Sequence, residues 1–168
     1  MGVLTPIYGS SDTNLSTIFM VNYNDLKEKV FYWDGSWRYI YVLNTNIQDW
    51  ENLYSHFVKN YSIKFTVDGE PVALLPKTAK KIFNLKENQT PCLCVQVGYI
   101  DVCIHFFVED DFEADIDPRQ IKNQEDVIKV LDFIRNIGAL LNKSVIMTCE
   151  NAQSEVLLTY NHLKKDFS

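Results

Sequence analysis

Three of the four cysteines and one of the three histidines fall between positions 92 and 105, in the stretch CLCVQVGYIDVCIH. Three thiols and an imidazole form a legitimate zinc set. A thiol beside an imidazole is also the start of nucleophilic catalysis. What these groups can do depends on how the backbone presents them. The pattern reads as a β-hairpin turning on Gly98-Tyr99, where glycine tolerates the positive φ of a tight turn. If Val97 pairs with Ile100, then Cys94 faces Cys103 and Cys92 faces His105. Side chains alternate along a strand. One face of the hairpin is therefore Leu93, Val95, Val97, Ile100, Val102, Ile104 and Phe106, all apolar. The other is Cys92, Cys94, Gln96, Asp101, Cys103, His105 and Phe107.

On this register, Cys92, Cys94, Cys103 and His105 are the candidates for a thiol or metal site. The strand rise works against zinc. Same-face neighbours on one strand are about 6.5–7 Å apart, whereas sulfurs around an ion at about 2.3 Å must approach more closely. Structural zinc sites also favour a C-x₂₋₄-C turn over a C-x-C strand. The expectation is no metal and no cofactor, with the cysteines packed as small apolar residues. A Cys92–His105 pair with Asp101 further along the face loosely matches a thiol-catalysis set, but no electropositive surroundings lower the thiol pKa. Cys149 has no histidine near it in sequence. A Cys94–Cys103 bridge is sterically open and is disfavoured in a reducing cytosol.

The remaining elements follow from periodicity and punctuation. Thr17 to Tyr23 reads as a strand, and Asn24-Asp25 as a turn. Val30–Trp33 and Trp37–Leu43 read as a hairpin around Asp34-Gly35-Ser36. Thr45-Asn46-Ile47-Gln48 has capping-box spacing and opens a helix with Ile47, Trp50, Leu53, Tyr54, Phe57 and Val58 on one stripe. Ser62–Val67 and Glu70–Leu75 flank Asp68-Gly69, a type I′ turn signal. Pro76 starts a short helix to about Leu85. Glu109 to Asp117 reads as an acidic connector. Gln124 to Leu141, capped by Asn123 and stopped by a left-handed Asn142, is the strongest helix. Ser144–Cys149 and Glu155–Tyr160 are two last strands. Hairpin turns make antiparallel pairs. The fold class is α+β: a largely antiparallel sheet of seven to nine strands and three helices in one domain spanning 1–168. Residues 1–15 are expected to be a loose N-terminal arm, and 161–168 a frayed tail. The core should hold Trp50, Phe57, Val95, Val102, Ile104, Leu131 and Ile134.

Two patches suit a partner. The run Glu109, Asp110, Asp111, Glu113, Asp115 and Asp117 lacks the glycine and spacing of a calcium loop, and it fits an electrostatic dock for a basic protein. The stretch FYWDGSWRYIY puts Phe31, Trp33, Trp37, Tyr39 and Tyr41 on one face, with Arg38 as its single cation. Bases need a basic track beside such a platform, and the net charge is −6. Nucleic acid and anionic membrane are thus disfavoured. The start MGVLTPIYGSS has no secretory pattern, so a cytoplasmic, reducing setting is expected. P-loop, G-x-S-x-G, G-x-G-x-x-G, H-E-x-x-H and C-x-x-C motifs are absent from the sequence.

From Leu131 onward, a helix leads into Lys143, Val145, Thr148, Glu150 and Asn151, then a strand with Leu157 and Tyr160. This K-x-V-x-x-T-x-E-N segment resembles the C-terminal part of small uncharacterised bacterial α+β proteins. In general character the chain is similar to immunity proteins of bacterial toxin systems. The resemblance implies a fold and no activity. The leading expectation is a non-catalytic interaction protein, immunity-like, that binds a basic protein through Asp110, Asp111, Glu113, Asp115, Trp33 and Trp37. The alternatives are a thiol- or metal-dependent enzyme on the Cys/His face and a homo-oligomeric structural domain.

Overall fold

The computed structural model describes residues 22–168. The arm at 1–15 and most of the strand expected from Thr17 lie outside them. Tyr23, the expected strand end, instead opens helix α1 (Tyr23–Lys29), because the Asn22 side chain caps it by accepting from the Asn24 N–H. Then follow β1 (Arg38–Leu43), α2 (Ile47–Asn60), β2 (Ser62–Val67), β3 (Glu70–Pro71) and α3 (Ala79–Lys86). The cysteine hairpin is β4 (Pro91–Val97) and β5 (Ile100–His105). The chain continues through β6 (Asp111–Ile116), a 3₁₀ turn, α4 (Gln124–Leu141), β7 (Val145–Cys149), β8 (Ala152–Asn161) and β9 (Asp166–Phe167). Among the described residues four α-helices are present where three were expected, α1 being the addition.

The nine strands among the described residues form one antiparallel sheet in the order β3-β2-β4-β5-β6-β1-β7-β8-β9. Helices α2, α3 and α4 cover a single face. That face carries Ile40, Val42, Leu93, Val95, Val102, Ile104, Phe112, Ala114, Val145 and Met147, all buried. The expected core residues Trp50, Phe57, Leu131 and Ile134 close it from the helix side. Trp50 meets Phe83, Phe106 and Phe112 at ring separations of 5.0, 4.9 and 5.3 Å. Burying each such apolar side chain contributes about 1.5–3 kcal/mol. A one-residue slip would turn the whole row outward, so this face locks the register. The cysteine hairpin accordingly pairs as read: Val97 with Ile100, Cys94 with Cys103, Cys92 with His105.

Several boundaries differ from the sequence reading. Val30–Trp33 is no strand. Val30 and Phe31 are buried, and the segment wraps around Arg38, whose guanidinium is fully enclosed. Its Nε donates to the Val30 carbonyl at 2.7 Å, and its terminal nitrogens donate to the Tyr32, Ser36 and Trp37 carbonyls. Backbone acceptors here are satisfied by one side chain rather than by a ladder. The capping box lies one residue later than expected, on Asn46 and Asp49. Thr45 instead donates its hydroxyl to the Glu109 carbonyl at 2.7 Å. Beyond Pro71 the second arm leaves the sheet, and Leu74 is 84 % exposed. Helix α3 begins later than expected, at Ala79 behind a Thr78 cap, so Pro76 lies ahead of the helix and not in its first turn. The acidic connector contains β6, an interior strand, because Phe112, Ala114 and Ile116 alternate with its acids and fill the core face. The tail is not frayed over its length: β9 pairs with β8, and Phe167 packs on Tyr160 at 5.2 Å.

Candidate functional site

Among the described residues no helix packs on the other face of the sheet, and this helix-free face can be laid out from its register. One row across the strands runs Thr66, Cys92, His105, Glu113, Tyr41, Ile146. The next runs Lys64, Cys94, Cys103, Asp115, Tyr39, Thr148. Cysteines, acids and tyrosines expected from separate stretches thus become neighbours, because β6 sits between β5 and β1.

Cys94 and Cys103 are disulfide-bonded with Cα atoms 4.1 Å apart. This overturns the expectation of four reduced thiols. The two residues form a directly opposed antiparallel pair, where side chains approach most closely. The Cys92 sulfur lies 3.9 Å from that of Cys94, far nearer than the strand rise suggested. The two side chains converge instead of standing parallel. Cys92 and Cys149 remain free.

His105 does not serve Cys92. Its Nε2 lies 2.5 Å from Asp115 Oδ2, and its ring stacks on Phe107 at 5.2 Å. Asp115, rather than Asp101, is the acid that orients the histidine. Burial, followed by the charge of Asp115, pushes the Cys92 thiol up to about 11. That is opposite to what an attacking thiolate requires, so the set does not favour thiol catalysis.

The acids divide by parity. Asp110 is exposed, Asp111 and Glu113 are half-buried on the helix-free face, and Asp115 is buried. Burial raises the Glu113 carboxyl above its ordinary range, partly offset by His105. Asp117 turns to Arg119, and hydrogen bonds from that arginine lower its pKa. The aromatic platform also divides. Tyr39 and Tyr41 stack at 6.0 Å beside the β6 acids. Both phenols are raised by burial first, then by nearby carboxylates, chiefly Asp115 for Tyr39 and Glu113 for Tyr41. Trp37 precedes β1 and is 37 % exposed, with its backbone N–H donating to Glu150 Oε2. Phe31 is in the core. Trp33 lies apart, under the Arg119 guanidinium at 4.3 Å.

One pair was not foreseen. Ser144 Oγ and His162 Nδ1 are 3.1 Å apart beside a groove of about 320 Å³ lined by Tyr41, Leu43, Asn44, Lys143 and Ile146. The register of β7 and β8 makes them neighbours, a relation the spacing of 18 residues does not display. Lys143 is occupied by the Asn44 carbonyl and Asp49. Among the described residues no carboxylate orients His162, so the third member of a catalytic set is missing.

Compared with known proteins, the chain matches no family model, no curated protein and no solved structure. Among the described residues no helix is long and apolar enough to cross a membrane.

Proposed function

We propose that this chain is a non-catalytic interaction domain, immunity-like in character, that docks a basic segment of a partner protein on the helix-free face of its sheet. One observation carries the reading: β6 lies against β1, setting Asp111, Glu113 and Asp115 beside Leu43, Tyr41 and Tyr39 in register. Tyr41 and Asp115 are buried, so the accessible part is Leu43, Tyr39, Asp111 and Glu113, whose apolar and carboxylate groups suit lysine and arginine stems with charged ends. Asp110, exposed just before β6, and Trp37, exposed just before β1, flank this surface. Trp33, held by Arg119 away from it, drops out of the contact set. The net charge of −6 favours encounter with such a partner.

The proteins encoded by the genes flanking this one serve as probes, titrated by calorimetry and stopped flow at low and physiological salt. A complex whose association rate falls at least about tenfold with salt, and which is weakened by the double variant Asp111→Asn/Glu113→Gln, supports the reading. No complex with these probes, or one indifferent to both salt and the double variant, overturns it.

A further inference from the structure

We infer that Cys92, Cys94 and Cys103 form a thiolate site for a thiophilic cation of the zinc class, closed when Cys94 and Cys103 are bridged and opened when that bridge is reduced. The site lies on the same sheet face as the proposed dock and shares Asp115 with it, but it rests on the sulfur geometry.

The three sulfurs lie within 4.8 Å of one another. Cys92 and Cys94, at 3.9 Å, already stand about as far apart as two thiolates on one ion at about 2.3 Å. The bridge keeps Cys103 closer to Cys94 than an ion would, and its reduction releases that sulfur. All three sit on paired strands whose opposite faces are locked in the core, so the trio is held in place before any ion arrives. A second observation points the same way. Asp115 is opposite Cys103 on β6, its side chain is 10 % exposed, and its Oδ1 is buried with no hydrogen-bond partner among the described residues. A buried carboxylate oxygen without a donor is rare in folded proteins, and a cation bound by the adjacent sulfurs would compensate it. The His105 contact to Oδ2 orients this carboxylate, as outer partners do around metal centres.

Opening needs a dithiol reductant of the thioredoxin class. One reductant thiolate attacks a bridge sulfur, the Cys94–Cys103 bond breaks and a mixed disulfide forms. The second reductant thiol then displaces the chain, which leaves with two thiols while the reductant leaves as its own disulfide. Binding of the cation expels the three thiol protons, so uptake weakens as pH falls. A disulfide oxidant reverses the exchange and evicts the ion.

The full chain, stripped with chelator, is titrated with Co²⁺ alone after reduction by a phosphine, and again in the bridged form. Zn²⁺ is then added to displace the probe. The expected result is one Co²⁺ per reduced chain with sulfur-to-cobalt charge-transfer absorption, lost on adding Zn²⁺, and no such band in the bridged chain. Cys92→Ser keeps the bridge, so its fold is checked by circular dichroism while oxidised. Once reduced, it should bind at least about a hundredfold more weakly, with Cys92→Ala as the second variant. Cys149→Ser should bind like the parent. A reduced parent without the band, equal uptake by the bridged chain, or undiminished affinity in both Cys92 variants overturns the site.

Discussion

His105 and Asp115 are not register partners, yet Nε2 of the one lies 2.5 Å from Oδ2 of the other. His105 pairs with Glu113, and Asp115 with Cys103. The imidazole therefore reaches diagonally across β5 and β6, a span that long side chains on one sheet face cover. Among the described residues the contact gives a buried carboxylate its one hydrogen-bonding partner, since Oδ1 has none there.

Removing that partner is expected to be costly. His105→Ala leaves Asp115 buried and unpaired, and should lower stability by about 1–3 kcal/mol. Adding Asp115→Asn should recover part of the loss, because the uncompensated charge disappears. Denaturant unfolding of the two single variants and the double variant measures the coupling. Additive losses across the cycle would mean that the short contact carries no energy.

Alkaline pH should destabilise the fold in two stages. Cys92 sits at about 11 when folded, raised by burial and by Asp115, against about 8.5 for an unperturbed thiol. Tyr39 and Tyr41 are likewise raised. Each group binds its proton more tightly in the folded state, so the unfolded chain ionises first and stability falls as pH rises through the interval. The decline begins near pH ~8.5 from Cys92 and steepens above ~10 as unfolded tyrosines ionise. Chemical denaturation midpoints between pH 8 and 11 test this. A flat profile that Cys92→Ala leaves unchanged would contradict the assignment.

Arg38→Lys should behave as a disruptive change. Arg38 is fully buried and donates to the Val30, Tyr32, Ser36 and Trp37 carbonyls. It also faces Asp34 at 3.4 Å and stacks on Tyr32 at 4.4 Å. An ammonium supplies three donors from one point and no planar fork. The loss should be about 3 kcal/mol or more, with protease cleavage appearing between residues 30 and 37. Parent-like stability and protease resistance would remove the clamp from the account.

Much of the sheet was legible because local chemistry and tertiary demand agree. Leu93, Val95, Val102 and Ile104 alternate cleanly, Gly98 takes φ 66°, and Asp68-Gly69 takes the paired positive φ values of its turn. Helix α4 announced itself by the stripe from Val127 to Leu141, its Asn123 cap and its left-handed Asn142. The errors lie where tertiary partners outvote a local pattern. Charge marked 109–117 as a connector, but from Asp111 onward only alternate residues are acidic, and Phe112, Ala114 and Ile116 claim the interior. Aromatic density marked Val30–Trp33 as a strand, but the nearby cation, Arg38, turns inward and gathers that backbone around itself.

The order of residues by itself determined which side of the cysteine hairpin is greasy and which carries sulfur and imidazole, because a period of two leaves no other choice. It determined the Cys94–Cys103 and Cys92–His105 oppositions through a turn of fixed length. Only the tertiary structure decided that β6 would lie between β5 and β1. That placement brings Asp115 to His105 and sets the carboxylates beside Tyr39 and Tyr41. Pairing between strands far apart in the chain depends on how whole faces are buried, and no local periodicity encodes it.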